Sequence, residues 1–216
     1  MLKFYSASAR IINTQRAVTE CMEIALGDQY ADTDLIILHA SIGHPFQEMV
    51  NQAKTMAPNA TIVAASCCGV VGREGVSESM KDMALMAIKG KEFAVAHTDE
   101  IYGHNTYEKT KEMAMQLKKE QPGINMIYTL ASGIDIDNDA TIKGIEDIFG
   151  PGVTIFGATS SDNMKGVVSY QAFNEKVTTC GAYLVGFADS SLKVDTQATH
   201  GFVAVGEPLV VTKSHG

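Results

Sequence analysis

Apolar residues follow two rhythms along this chain. In some stretches they return every three to four positions, the period of one helix face; in others they run nearly unbroken, as in strands buried on both faces. "NTQRAVTECMEIALGD" has the helical rhythm, with Asn13 as a candidate N-cap and Ala17, Cys21, Ile24 and Ala25 on one side. "DLIILHAS" predicts a buried strand. "HPFQEMVNQAKTMAP" predicts a helix that begins near Pro45, where a missing N–H costs nothing, and stops before Pro58. "TIVAASCC" predicts a second buried strand. After a Gly-rich turn come two more, "DMALMAIKG" and "EFAVAHTDE", joined as a hairpin through Lys89-Gly90-Lys91.

The second half repeats the order. "TYEKTKEMAMQLKKEQPG" is an amphipathic helix ending at Pro122, and "INMIYTLASG" is a strand. "DNDATIKGIEDIFGP" is a helix with an acidic start and a Gly-Pro stop. "TIFGATSSD" is a strand, and further strands are expected around "GVVSYQAF", "TTCGAYLVGFA" and "LKVDTQATHG". Ser41 and Ser132 lie 91 residues apart, Ile62 and Ile155 lie 93 apart, and Ala84 and Ala182 lie 98 apart. The expected fold is therefore α/β, with mixed β-sheets, flanking helices and two related halves from an internal duplication. The repeats run roughly from 13–100 and 106–200 within one domain of residues 1–216.

Composition removes several functions. Net charge is −8 and no Lys/Arg run occurs, which argues against nucleic acid and against an anionic membrane surface. No apolar stretch reaches the ~20 residues that span a bilayer, and the N-terminus lacks a signal-peptide pattern. Cys21, Cys67, Cys68 and Cys180 have no framework spacing and form no C-x-x-C, so a cytoplasmic setting is expected.

The conspicuous chemistry lies at the carboxyl ends of the buried strands, where α/β proteins tend to bind small molecules. "HASIGH", "ASCCGVVG", "LASGIDIDND" and "GATSSDN" all carry Ser or Gly, which let a ligand approach backbone N–H groups. Adjacent Cys67 and Cys68 could be a redox pair, a metal fragment, a nucleophile or two small side chains. Under the repeat they face Ser160 and Ser161, so the small side chain recurs and the thiol does not. That favours the wall of a site. The expected ligand-binding set is Ser41, Gly43, Ser66, Cys67, Gly69, Ser132, Gly133, Gly157, Ser160, Ser161 and Asp162. Asp162 suits a ligand amine and a turn cap equally. No residue is assigned a catalytic or metal-binding role.

The stretch from "TIFGATSSDNMKG" to "LVVTK" resembles the FIST N-terminal domain family. The matching residues are Gly157 and Asp162, Cys180 to Gly186, His200-Gly201, and Gly206 with Val211-Thr212. In the first half Ser66 and Gly69 match the family pattern, while Cys67 and Cys68 depart from it. The resemblance implies a cytoplasmic sensory domain that binds an amino acid or related metabolite for signal transduction, without chemical turnover. It also implies a C-terminal FIST domain and a downstream signalling module as partners, and it adds His200 to the ligand set. Some family members are haem-based nitric oxide sensors, so haem is the alternative to a cofactor-free domain.

Of the six histidines, His39 is expected in the core, His44 at a ligand or a helix start, His97 near a strand end, and His104 and His215 in solvent. No C-x-x-C-H, G-x-S-x-G or phosphate loop occurs. A cysteine-dependent enzyme built on Cys67 is the third reading.

Overall fold

The structure, a computed structural model, describes residues 1–72, 75–197 and 201–213. Strand β1 (Lys3–Arg10) leads into helix α1 (Thr14–Leu26), then β2 (Leu35–Ser41), α2 (Phe46–Met56) and β3 (Thr61–Cys67). A small hairpin, β4 (Val70–Gly72) and β5 (Gly75–Ser77), precedes β6 (Asp82–Lys89). The same series returns as β7 (Phe93–Thr98), α3 (Thr106–Glu120), β8 (Met126–Ala131), α4 (Asn138–Phe149) and β9 (Thr154–Thr159). It ends with the hairpin β10 (Gln171–Phe173) and β11 (Lys176–Thr178), and with β12 (Ala182–Phe187).

Two large sheets and the separate two-stranded β4–β5 ribbon result, and the strand orders of the large sheets are the duplication made visible. The first runs β1-β6-β2-β3 and continues into β10-β11; the second runs β7-β12-β8-β9. In each, the two strands joined through a helix are parallel, β2 with β3 and β8 with β9, and the remaining pairs are antiparallel.

The helices begin where the sequence places them. Asn13 accepts from the Arg16 N–H at 2.8 Å, and Asp137 accepts from that of Ala140 at 3.0 Å. α1 and α2 cover the outer face of the first sheet through Val18, Met22, Met49 and Val50, against Ile36, Leu38 and Ile62. α3 and α4 do the same for the second through Met113, Leu117 and Ile145, against Ile127 and Leu184. The inner faces meet in a third core of Leu35, Ile37, Val63, Leu130, Tyr183 and Val185. Sheet residues are thus buried on both faces, which is why the strands read as unbroken apolar runs.

Four expectations change. β1 was not foreseen as a strand. "EFAVAHTDE" does not form a hairpin with β6: Gly90, at a φ of 125°, carries the chain across to the second sheet, where β7 opens the second unit. The counterpart of Ala182 is Met83, 99 residues earlier, since both pair with the end of the central parallel strand, at Ala40 and Ala131. Matching Ala84 instead would turn every side chain of β6 to the wrong face. Finally, residues 192–197 of the expected strand "LKVDTQATHG" have no regular structure.

Candidate functional site: the strand-end cleft and the inter-sheet cavity

The strand ends of the two halves converge. The Ser161 N–H donates to the Ser66 carbonyl at 3.0 Å, and the Cys68 thiol lies 3.0 Å from the Ser161 hydroxyl. Between them is a hollow of about 260 Å³ lined by Cys68, Gly133, Ser160, Ser161, Asp162 and Ser169, among others. Cys68 from the first unit and residues 159–162 from the second therefore share one crevice.

The remaining expected residues fall around or behind it. Ser66 is buried and accepts from the Tyr170 N–H at 2.9 Å, tying β3 to the strand that follows the cleft. Ser132 is buried against the Ser169 hydroxyl at 3.4 Å and the Thr179 carbonyl at 3.3 Å. Gly133 passes so close to β9 that a Cβ there would overlap the Ser160 carbonyl oxygen. Ser41 and Gly43 lie at the end of β2, packed on Met80: the Ser41 hydroxyl reaches its sulfur at 3.7 Å, and a Cβ at Gly43 would overlap its carbonyl. Gly69 is pressed in the same way against the Ser77 carbonyl, and Gly157, within β9, against that of Thr129. Apart from Gly133, which lines the hollow, these residues shape the backbone around it. Cys67, opposite Ser41 in the sheet, is also outside the hollow, and burial pushes its thiol up to about 11. His200 and His215 lie outside the described residues.

Asp162 is committed elsewhere. One carboxylate oxygen accepts from the Lys165 and Gly166 N–H groups at 2.9 and 2.8 Å, the other from Val167 and Val168 at 2.6 and 3.0 Å. Those four bonds hold its carboxyl down to about 2 and use the lone pairs an amine would need. The cap role prevails over ligand contact.

One residue the sequence reading passed over, Gln171, completes the network. Gln171 is buried; its amide donates to the Ser160 hydroxyl at 2.6 Å and the Ser169 hydroxyl at 3.0 Å, and its oxygen accepts from the Gly181 N–H at 2.9 Å. Its signal was present, a lone amide inside the apolar run "SYQAF".

A second, larger hollow of about 580 Å³ opens between the inner faces of the two sheets. Phe4, Met86, Met126, Phe156 and Phe187 line it. His39 and Tyr128 supply its polar point, with Nε2 of the imidazole 2.8 Å from the Tyr128 hydroxyl. Burial lowers His39 to about 4, so the ring is neutral at ordinary pH. The other described histidines are placed differently. His44 is buried, with Nδ1 3.0 Å from the Thr14 hydroxyl; His97 stacks on Phe173 at 3.7 Å; His104 is exposed beside Tyr102. No group of three His, Cys, Asp or Glu side chains that could hold a metal ion occurs among the described residues. No described helix is long and apolar enough to cross a membrane.

Comparison with curated protein sequences finds no match. Among solved structures, the chain is similar to one reported as "Cyanuric acid hydrolase: evolutionary innovation by structural concatenation", with a TM-score of 0.39 and 10% identity. That match covers 87% of this chain and 69% of the other. A cyanuric acid hydrolase from A. caulinodans gives a TM-score of 0.44 at 7% identity, covering 87% of this chain and 71% of that one. The family model described as FIST N domain matches residues 34–216, from just before β2 onward. This chain belongs to the FIST N domain family.

Proposed function

We propose that the chain is a sensory input domain for signal transduction, binding a small polar metabolite of amino-acid size in the strand-end cleft. The observation that carries this reading is the Cys68–Ser161 contact: the second half supplies most of the wall and the first half adds Cys68, so a ligand beside that contact touches both. A ligand that prefers one arrangement of the halves over another would shift their balance, which is what an input domain needs. Ser161 accepts from the Cys68 thiol and keeps its own proton to donate to a ligand carboxylate. The loop cradled by Asp162 supplies the facing wall.

On this reading there is no turnover and no cofactor. Cys67, with its thiol held up near 11, is a poor nucleophile. Haem would need a free imidazole nitrogen and cations for its propionates. Nε2 of His39 is engaged with the Tyr128 hydroxyl, and no Lys or Arg is among the described residues that line the cavity beside it. The four free thiols suit the cytoplasm. A C-terminal FIST domain and a downstream module would carry the output.

The test is a thermal-shift screen of amino acids and small metabolites, because a ligand that binds only the folded state raises the melting temperature. For a compound that scores, Ser161→Ala should weaken binding about 5- to 10-fold, the size of one lost hydrogen bond, while leaving the melting temperature of the free protein nearly unchanged. Binding that ignores this substitution would move the site out of the cleft.

A further inference from the structure

The inter-sheet cavity is a defect in one flank of an otherwise filled seam, and the duplication shows what is missing. Strand pairing matches Ser6 to Val95, Ala84 to Tyr183, and Met86 to Val185. The hairpins match as well: β4–β5 and β10–β11 each pair three residues with three, which sets Gly72 opposite Phe173. On the filled flank, Tyr183, Val95 and Phe173 pack into the inner core, and Phe173 is further fixed by its stack on His97. On the open flank the corresponding positions are Ala84, Ser6 and Gly72, and all three line the cavity. Two aromatic rings and an isopropyl group are replaced by a methyl, a hydroxymethyl and a hydrogen.

The remaining walls define what fits. Phe4, Phe156 and Phe187 present rings, Ile37, Met86 and Met126 present aliphatic or thioether groups, and none of the described lining residues is charged at neutral pH. Tyr128 and His39 give one hydrogen-bonding point. With the phenol donating to the imidazole, the Tyr128 oxygen still accepts. Concave, mostly apolar hollows of this size with one placed polar pair are the usual form of small-molecule sites.

We propose that this cavity is a second binding site, taking a neutral aromatic compound that carries one hydrogen-bond donor, of the phenol or indole kind. Its ring occupies the space that Tyr183 and Phe173 fill on the opposite flank, and its donor reaches Tyr128. The site is separate from the strand-end cleft and shares no lining residue with it.

The experiment is a fluorescence and calorimetric titration of the full chain with 1-naphthol, p-cresol and indole, with 1-naphthoate as the charged control. Saturable 1:1 binding is expected, at least 10-fold weaker for 1-naphthoate because the described lining residues include no cation. Ala84→Tyr restores the side chain of the filled flank and should abolish binding without lowering the melting temperature. Ser6→Val is a milder filling that keeps the test decisive if the first variant misfolds, and it should weaken binding at least 3-fold. Ser161→Ala should leave these ligands unaffected, which separates this site from the cleft. Absence of saturable binding by all three neutral compounds, or binding unchanged in both filled variants, overturns the proposal.

Discussion

The outer parallel strands of the two halves, β3 and β9, occupy equivalent places and meet different fates. β3 is hydrogen-bonded along its free side by β10, through Val63↔Phe173, Ala64↔Ala172 and Ala65↔Gln171. The same positions of β9 are Phe156, Gly157 and Ala158, and these are the three exposed residues of that strand. The hairpin that corresponds to β10–β11 is present in the first half as β4–β5, but it pairs only with itself and leaves Val71 82% and Val76 75% exposed. Duplication has therefore copied the path of the chain without copying the packing at its margins. A two-stranded ribbon is marginal by itself, so the first half's hairpin is held by its contacts rather than by a ladder.

The difference in edges gives the largest expected contrast. In hydrogen exchange, the amides of β3 that bond to β10 should open only with global unfolding, at ~5 kcal/mol or more, whereas the edge-facing amides of β9 should exchange with almost no protection. Equal protection would mean that β9 is paired in solution.

Next come the close approaches at the strand ends, which the halves share. Gly133→Ala and Gly43→Ala each force a Cβ into a carbonyl oxygen, of Ser160 and Met80 respectively. Each should cost about 3–4 kcal/mol in denaturant unfolding, while Gly152→Ala, with open space around it, should stay within about 0.5 kcal/mol. If only one of the two is destabilised, the strand ends are less alike than the fold suggests.

A third contrast is acid sensitivity. His39 stands where the second half has Leu130, by the same pairing that aligns β2 with β8. Its folded-state value near 4 lies below the ordinary 6.5, so the unfolded chain takes up the proton first as pH falls. The stability contribution is full above pH 6.5 and drains away toward pH 4, by up to about 3 kcal/mol. His39→Leu, which makes the halves alike, should remove that slope from a plot of unfolding free energy against pH. A slope that survives in the variant would assign the acid loss to other groups.

The smallest effect belongs to the cysteines. Cys67→Ser installs the residue found at Ser160 and should change stability by less than about 1 kcal/mol. In the parent chain, alkylation of Cys67 at neutral pH should run roughly 100-fold slower than for an ordinary thiol, since its value near 11 is two units above 9.0. Fast alkylation mapped to Cys67 would reinstate it as a chemical group.

Most of the helices and the buried strands β2, β3, β8 and β12 were legible because burial on both faces leaves continuous apolar runs that chance seldom produces. Three failures have a common physical origin, weak or missing phase. β1 turns only Tyr5, Ala7 and Ala9 toward its helices, too little apolar bulk to announce a strand. "DMALMAI" is apolar on both faces, so nothing in it distinguishes Met83 from Ala84. Gly90 reads as a hairpin turn, while the chain uses it to change sheets. At the site, the Ser and Gly strand ends were legible from fold logic. The commitment of Asp162 was not, because its four partners are backbone amides whose positions depend on a loop. The inter-sheet cavity was hidden for the opposite reason: it is made by small residues on separate strands, each unremarkable where it stands.

The hairpin β10–β11 has one more consequence, for how the protein comes into being. During synthesis the first sheet cannot be finished when its own unit has left the ribosome at Lys89, because its last two strands are encoded some eighty residues later. Until then the nascent chain carries β3 with an unsatisfied row of amides, the kind of surface that chaperones cover and aggregates grow from. A fragment cut between the halves would be born with that wound and keep it, so the repeated units, for all their likeness, are not separable modules.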